Sequence, residues 1–269
     1  MHYFNYYGYY MGTFYPREHY NSGHVILKQA EHYNNNEKRI ILANKFVEGS
    51  LKNIRKVLQY YSRQGIDVDE NIMYIENNIE EIKKINDISR LLSIEGRSRE
   101  NYYKSFDKII KQKDFKFDKR TRRPPQNNLN ALISFGNSIM YTLILSEIYK
   151  THIDPRIGYL HTSNFRSFTL NLDISEIFKP IIIDRIIFSV INKKIIKKND
   201  FYNEGDGFIL KENGRKKFVQ EFDKRIAQTI KVRDVSNKVS YRRLIRLEIY
   251  KIQKHLLEEK AYSPYINRW

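Results

Sequence analysis

The chain has no cysteine among its 269 residues. That excludes disulfides, cysteine-held zinc, iron–sulfur clusters and a thiol nucleophile, so any metal must sit on His, Asp or Glu. Several catalytic signatures are missing too. G-x-x-x-x-G-K-[ST] does not occur, so no P-loop ATP chemistry is expected, and neither H-E-x-x-H nor G-x-S-x-G is present. The first ten residues are Tyr-rich, lack a basic start followed by an apolar run, and do not read as a signal peptide. The longest uncharged stretch, 124–146, could span a bilayer by length. It carries Asn127, Asn128, Asn130, Ser134, Asn137 and Ser138, which is too polar for hydrocarbon. A buried helix in a soluble, cytoplasmic protein without a membrane partner is the expectation.

The apolar fraction is 41% and the aromatic fraction 14%, enough for a folded core despite the charge. Lys and Arg number 48 against 31 Asp and Glu, a formal net charge of +17. Two segments supply most of it: 102–125 with a net of +6 and 211–269 with a net of +9. Positive charge clustered this way favours a polyanion, most simply nucleic acid. The alternative is a Lys-heavy composition that only solvates helices.

Residues 3–15 are aromatic-rich and read as a short strand or hairpin, with Pro16 ending it. From about Asn34 the apolar spacing turns helical: Ile40, Ile41, Ala43, Val47, Leu51, Ile54 and Leu58 recur at i, i+3, i+4 up to about Ser62. Further helices are expected at 69–85, 87–110, 128–149, 174–196, 214–231 and 240–259, with 151–172 irregular. The fold class is therefore mainly α: a helical lobe preceded by a short β fragment. Gly205-Asp206-Gly207 reads as a turn rather than a phosphate cradle.

Glu95 falls on the apolar stripe of the third helix with Ile88, Leu91, Leu92 and Tyr102. A buried carboxylate needs a cation or a proton, although a surface pair with Arg99 one turn on would explain it as well. Gly96 follows, where a ligand or backbone could approach closely. His161 lies in GYLHTSNF, and a lone His is commonly just packed. Asp173 and Glu176 form D-I-S-E, which equally suits a helix start, with Asp at N-cap and Glu at N3. Taken together, Glu, His and a second carboxylate make a ligand set suited to Mg²⁺ or Mn²⁺.

The segments SIEGRSRENYYKSF (93–106), RRPPQNNLNALISFGNSIMY (122–141) and GYLHTSNFRSFTLNLDISEIFKPIIIDRIIF (158–188) resemble the CRISPR-associated adaptation integrase/endonuclease family, the Cas-one subunit. YYGYYMGTFYPRE (6–18) and FYNEGDGFILKENGRKKFVQEF (201–222) fit as well, and the style is similar to the subtype I-B branch. The resemblance implies a helical catalytic lobe over 31–269. Residues 1–30 would be the remnant of an N-terminal β domain and linker, leaving an exposed aromatic edge. It implies Glu95, His161 and Glu176 as metal ligands, with Asp173 supporting the site. It further implies Mg²⁺ or Mn²⁺ as cofactor, double-stranded DNA (prespacer and CRISPR repeat) as substrate, the small Cas-two subunit as partner, and a homodimer. The activity implied is insertion of short DNA fragments by attack of a 3′-hydroxyl on a phosphodiester. Arg97, Arg99, Lys119, Arg120, Arg122 and Arg123 would then bind DNA, mostly through phosphates. The rivals are a non-catalytic DNA-binding or scaffold subunit, and a repair or mobile-element nuclease built on the same lobe.

Overall fold

A computed structural model describes residues 2–7, 10–14, 22–162, 168–232 and 236–268. The chain is mainly α, and its strands form three separate two-stranded antiparallel pairs among these residues. In order, the elements are β1 (His2–Phe4), β2 (Tyr10–Thr13), α1 (Gly23–Asn34), α2 (Asn36–Ser62), α3 (Asp69–Ile82), α4 (Ile88–Lys104) and α5 (Phe106–Ile109). There follow α6 (Asn128–Ile148), α7 (Leu170–Phe178), a π-helical turn (Pro180–Asp184), α8 (Arg185–Asn192), β3 (Phe201–Glu204) and β4 (Gly207–Leu210). The last four are α9 (Glu212–Ala227), β5 (Thr229–Ile230), β6 (Val239–Ser240) and α10 (Tyr241–Leu256).

Polar caps start the long helices. Asn35, Asp87, Asn127 and Ser240 each accept a hydrogen bond from the backbone N–H three residues on, satisfying a donor the helix itself cannot. The apolar stripe of α2 (Leu42, Phe46, Leu51, Ile54, Leu58) is fully buried against α3, α4 and α7. Each such side chain contributes about 1.5–3 kcal/mol. Ile41, placed on that stripe by its spacing, is instead 51% exposed. The uncharged helix α6 is buried along most of its length and packs on α7, α10 and the π turn, as a core helix should.

Three expectations are corrected and one is met. The helical pattern begins earlier than Asn34: α1 starts at Gly23, capped by Ser22, and runs across residue 30 to pack on α2 and α10. The third helix, expected to run on to Ile110, ends at Lys104 and is followed by the short α5. The single helix expected at 174–196 is three pieces. Pro180 has no N–H to give, and the ladder shifts from Lys179 N donating to Ser175 O (2.9 Å) to Asp184 N donating to Lys179 O (3.0 Å). Finally, 201–210 is a hairpin, its turn at Gly205 (φ +58°) as the Gly-Asp-Gly reading implied.

That hairpin fixes the basic loop. Phe208 N donates to Pro125 O at 2.8 Å, and a Cβ on Gly207 would stand 2.6 Å from Pro124 Cβ. At the N-terminus β1 and β2 pair, exposing Tyr3, Phe4, Tyr6, Tyr7 and Met11; Pro16 lies outside the described residues.

Candidate active site

Asp173 sits inside α7 rather than at its start. The helix begins at Leu170 after Thr169, so the helix-start reading of D-I-S-E is not realised. The Asp173 carboxylate is fully buried and collects four donors from one loop: Tyr159 N (2.6 Å), Leu160 N (3.1 Å), His161 N (2.9 Å) and His161 Nδ1 (2.7 Å). Gly158 makes this approach possible, since a Cβ there would lie 2.8 Å from Thr169 Oγ1 and 3.0 Å from Asp173 Oδ2. The contact fixes the ring: Nδ1 faces Asp173 and Nε2 is left for another partner. Burial disfavours the imidazolium, but the hydrogen bond and charge of Asp173, with Glu176 beyond, raise His161 above its ordinary value.

Glu176, one turn further along α7, is the hub. Its Oε2 accepts from Arg99 Nη2 at 2.5 Å and its Oε1 from Lys179 Nζ at 2.5 Å. Arg99 comes from α4, also touches Ser50 Oγ at 3.3 Å, and stands 3.6 Å from Glu95 Oε1 and 3.8 Å from Asp184 Oδ2. Burial alone would raise Glu176, yet Lys179, Arg99 and His161 hold its carboxyl well below the usual range. The opposite happens across the gap. Burial and the facing Glu176 carboxyl push Glu95 up to about 7, against the pull of Arg99 and Lys179. Asp184 is also pushed up to about 7 by burial, opposed by Arg99, Lys179 and the Tyr102 hydroxyl.

Glu95 and Glu176 thus confront each other, and His161, seated on Asp173, lies near enough to Glu176 to feel its charge. The Glu95–Arg99 pair exists, but it is buried rather than on the surface, with side chains only 16% and 9% exposed. Among the described residues no three His, Asp or Glu side chains are gathered into a ready cage, and both Glu176 oxygens already face cations. The donor chemistry nevertheless fits a hard divalent cation: two confronted carboxyls and a ring nitrogen oriented by a carboxylate.

The basic residues divide. Lys119, Arg122 and Arg123 are exposed on the loop before α6. Arg97 is partly exposed and pairs with Glu81 and Asn78 on α3. Arg120 is half-buried and donates to Asn130 Oδ1 (3.0 Å) and Ser134 Oγ (2.9 Å), while Arg99 is buried and turned into the carboxylates. Lys179 and Asp184 escaped the reading of the sequence. Their signals are present: Lys179 is at i+3 from Glu176, and Asp184 interrupts the apolar run PIIIDRIIF. A cavity of about 420 Å³ lined by Tyr7, Pro124, Phe135, Phe208 and Arg215 holds none of these groups.

Fold and cluster define a mainly helical protein that joins α4 to α7 through a buried carboxylate–cation cluster with a histidine nearby. The profile of the family described as CRISPR associated protein Cas1 matches residues 1–224. The CRISPR-associated endonuclease Cas1 2 of Thermodesulfovibrio yellowstonii is 55% identical over 269 residues, covering 100% of this chain and 82% of that protein. The structure of a Cas1 protein from Thermotoga maritima superposes with a TM-score of 0.86 at 43% identity, over 98% of this chain and 80% of that one. A casposase bound to integration product shares the fold alone, with a TM-score of 0.87 at 21% identity, over 100% of this chain and 76% of that one. The chain belongs to the Cas1 family.

Proposed function

We propose that this protein is a metal-dependent DNA endonuclease and integrase of CRISPR adaptation. The observation that carries the reading is the convergence of Glu95 and Glu176 on one buried site with a histidine locked by Asp173. The endonuclease name of the 55%-identical relative supports it.

Glu95, Glu176 and His161 Nε2 would hold Mg²⁺ or Mn²⁺. When bound, the ion supplies Lewis-acid polarisation of a phosphoryl oxygen for in-line attack by a DNA 3′-hydroxyl. Asp173 keeps the imidazole in one orientation. Lys119, Arg122 and Arg123 hold the phosphate backbone without reading sequence. The burial of α4 and α7 keeps the carboxylates in a lower dielectric than water, where their charge acts more strongly. Prespacer and repeat DNA as substrates, a homodimer around the small Cas-two partner, and a cytoplasmic setting complete the reading.

The closed ion pairs of Glu176 favour one rival, a non-catalytic DNA-binding subunit whose cluster is structural. Calorimetric titration of Mn²⁺ into the wild type, Glu95→Ala and His161→Ala separates the two. Saturable heat in the wild type, lost or weakened at least tenfold in both variants, together with strand transfer of a 3′-hydroxyl DNA end, is expected. Equal heats from all three proteins would sink the metal reading.

A further inference from the structure

Arg99 is 8% exposed, yet its guanidinium faces three carboxyls at unequal distances: Glu176 at 2.5 Å, Glu95 at 3.6 Å and Asp184 at 3.8 Å. The first is a hydrogen-bonded pair. The last is not, and both atoms facing each other there, Arg99 Nη1 and Asp184 Oδ2, are buried without a hydrogen-bond partner among the described residues. Asp184 is only 1% exposed, and the Tyr102 hydroxyl, one turn beyond Arg99 on α4, is likewise buried without a hydrogen-bond partner among the described residues.

The π turn puts Asp184 there. At about 100° per residue, an unbroken helix would place it about 80° round from Glu176, whereas one extra residue taken up by the wide turn brings it back to about 20°. Glu176 and Asp184 therefore share the face of the helix that meets Arg99.

We propose that Asp184 is the reserve counter-ion of Arg99: when a divalent cation takes the Glu95 and Glu176 carboxylates, the guanidinium transfers to Asp184, and this exchange sets how tightly the site holds the cation. The inference rests on the metal reading above. A divalent ion on Glu176 repels the cation now seated on the same oxygen, and a buried guanidinium cannot be left unpaired without a large penalty. Asp184 is the remaining carboxyl within reach. Lys179 has its own refuge, since its Nζ lies 4.8 Å from the centre of the Tyr141 ring, an aromatic face suited to a displaced ammonium.

The test is Mn²⁺ titration of the full chain, by calorimetry and by the electron paramagnetic resonance signal of free Mn²⁺, with metal-free melting recorded for every variant. Asp184→Asn is expected to bind Mn²⁺ at least tenfold more weakly than wild type, and Asp184→Glu to recover most of the affinity. In an Arg99→Gln background, adding Asp184→Asn should change affinity by less than about twofold, because the ion to be rehoused is gone. Wild-type affinity in Asp184→Asn would overturn the exchange while leaving the metal reading intact. A further tenfold loss in the Arg99→Gln background would likewise overturn it and make Asp184 a general prop of the fold. If Asp184→Asn does not fold, weak binding by a folded Asp184→Glu overturns the proposal and near wild-type binding supports it. Absence of saturable Mn²⁺ binding in the wild type would remove the metal reading and this inference with it.

Discussion

Two basic regions of the molecule use their positive charge in opposite ways. In the cluster between α4 and α7, Arg99 and Lys179 are buried and spent on Glu176, with Glu95 and Asp184 alongside. On the loop before α6, Lys119, Arg122 and Arg123 are exposed. A buried cation is tolerated because a carboxylate accompanies it, so removing that one partner is costly. An exposed cation contributes almost nothing to the fold, and its field reaches solvent, where a polyanion can meet it. The net charge of +17 does not distinguish these roles.

The sharpest way to break the contrast is Glu176→Ala, which strips Arg99 and Lys179 of their shared partner at once. A loss of about 3–5 kcal/mol is expected in denaturant unfolding of the metal-free protein. A loss below about 1 kcal/mol would mean that the cluster is not electrostatically closed.

A smaller effect sharpens the comparison through pH. Glu95 is raised to about 7 in the folded protein from a reference of 4.5, so the native state keeps a proton that the unfolded chain has already released. The Glu95 contribution to stability must then fall as pH rises through that window, by up to about 3 kcal/mol, and Asp184, also raised to about 7, adds a loss of the same sign. Glu176, held low, does not titrate there and adds no opposing slope. Glu95→Gln mimics the protonated acid, so its melting temperature relative to wild type should climb between pH 5 and pH 8 in chelator. A flat difference would show that Glu95 titrates normally.

The smallest effect on the fold belongs to the loop. Replacing Lys119, Arg122 and Arg123 together by Ala should change stability by no more than about 0.5 kcal/mol. Binding to a DNA duplex, followed by anisotropy at several salt concentrations, should weaken, with the salt slope reduced by about 3. Unchanged DNA binding would mean that this exposed charge is idle.

The residues differ in how much of this was legible along the chain. Helix α2 follows from its apolar spacing and helix α6 from an uncharged run of helix length, because a repeat of 3.6 residues and a run of like residues are local properties. The β3–β4 hairpin was visible only at its Gly-Asp-Gly turn, since four-residue strands carry too little alternation to register. Asp173 shows the limit well. Its spacing from Glu176 suits a helix cap, but its carboxylate reaches back to the amides of 159–161, a contact across the chain that no local rule encodes.

By itself the sequence determined the mainly α class, the exclusion of thiol and P-loop chemistry, the acidic and imidazole residue types, and a strongly basic surface. All of these depend on composition or on neighbours within a turn or two. Only the tertiary structure decided that Arg99 turns inward while Lys119, Arg122 and Arg123 face out. It also decided that Lys179 and Asp184 complete the cluster, and that a π turn after Pro180 rotates Asp184 toward Arg99. The reason is desolvation: whether a charge is spent or free depends on the carboxylates the fold brings beside it, and those come from helices far apart in the chain.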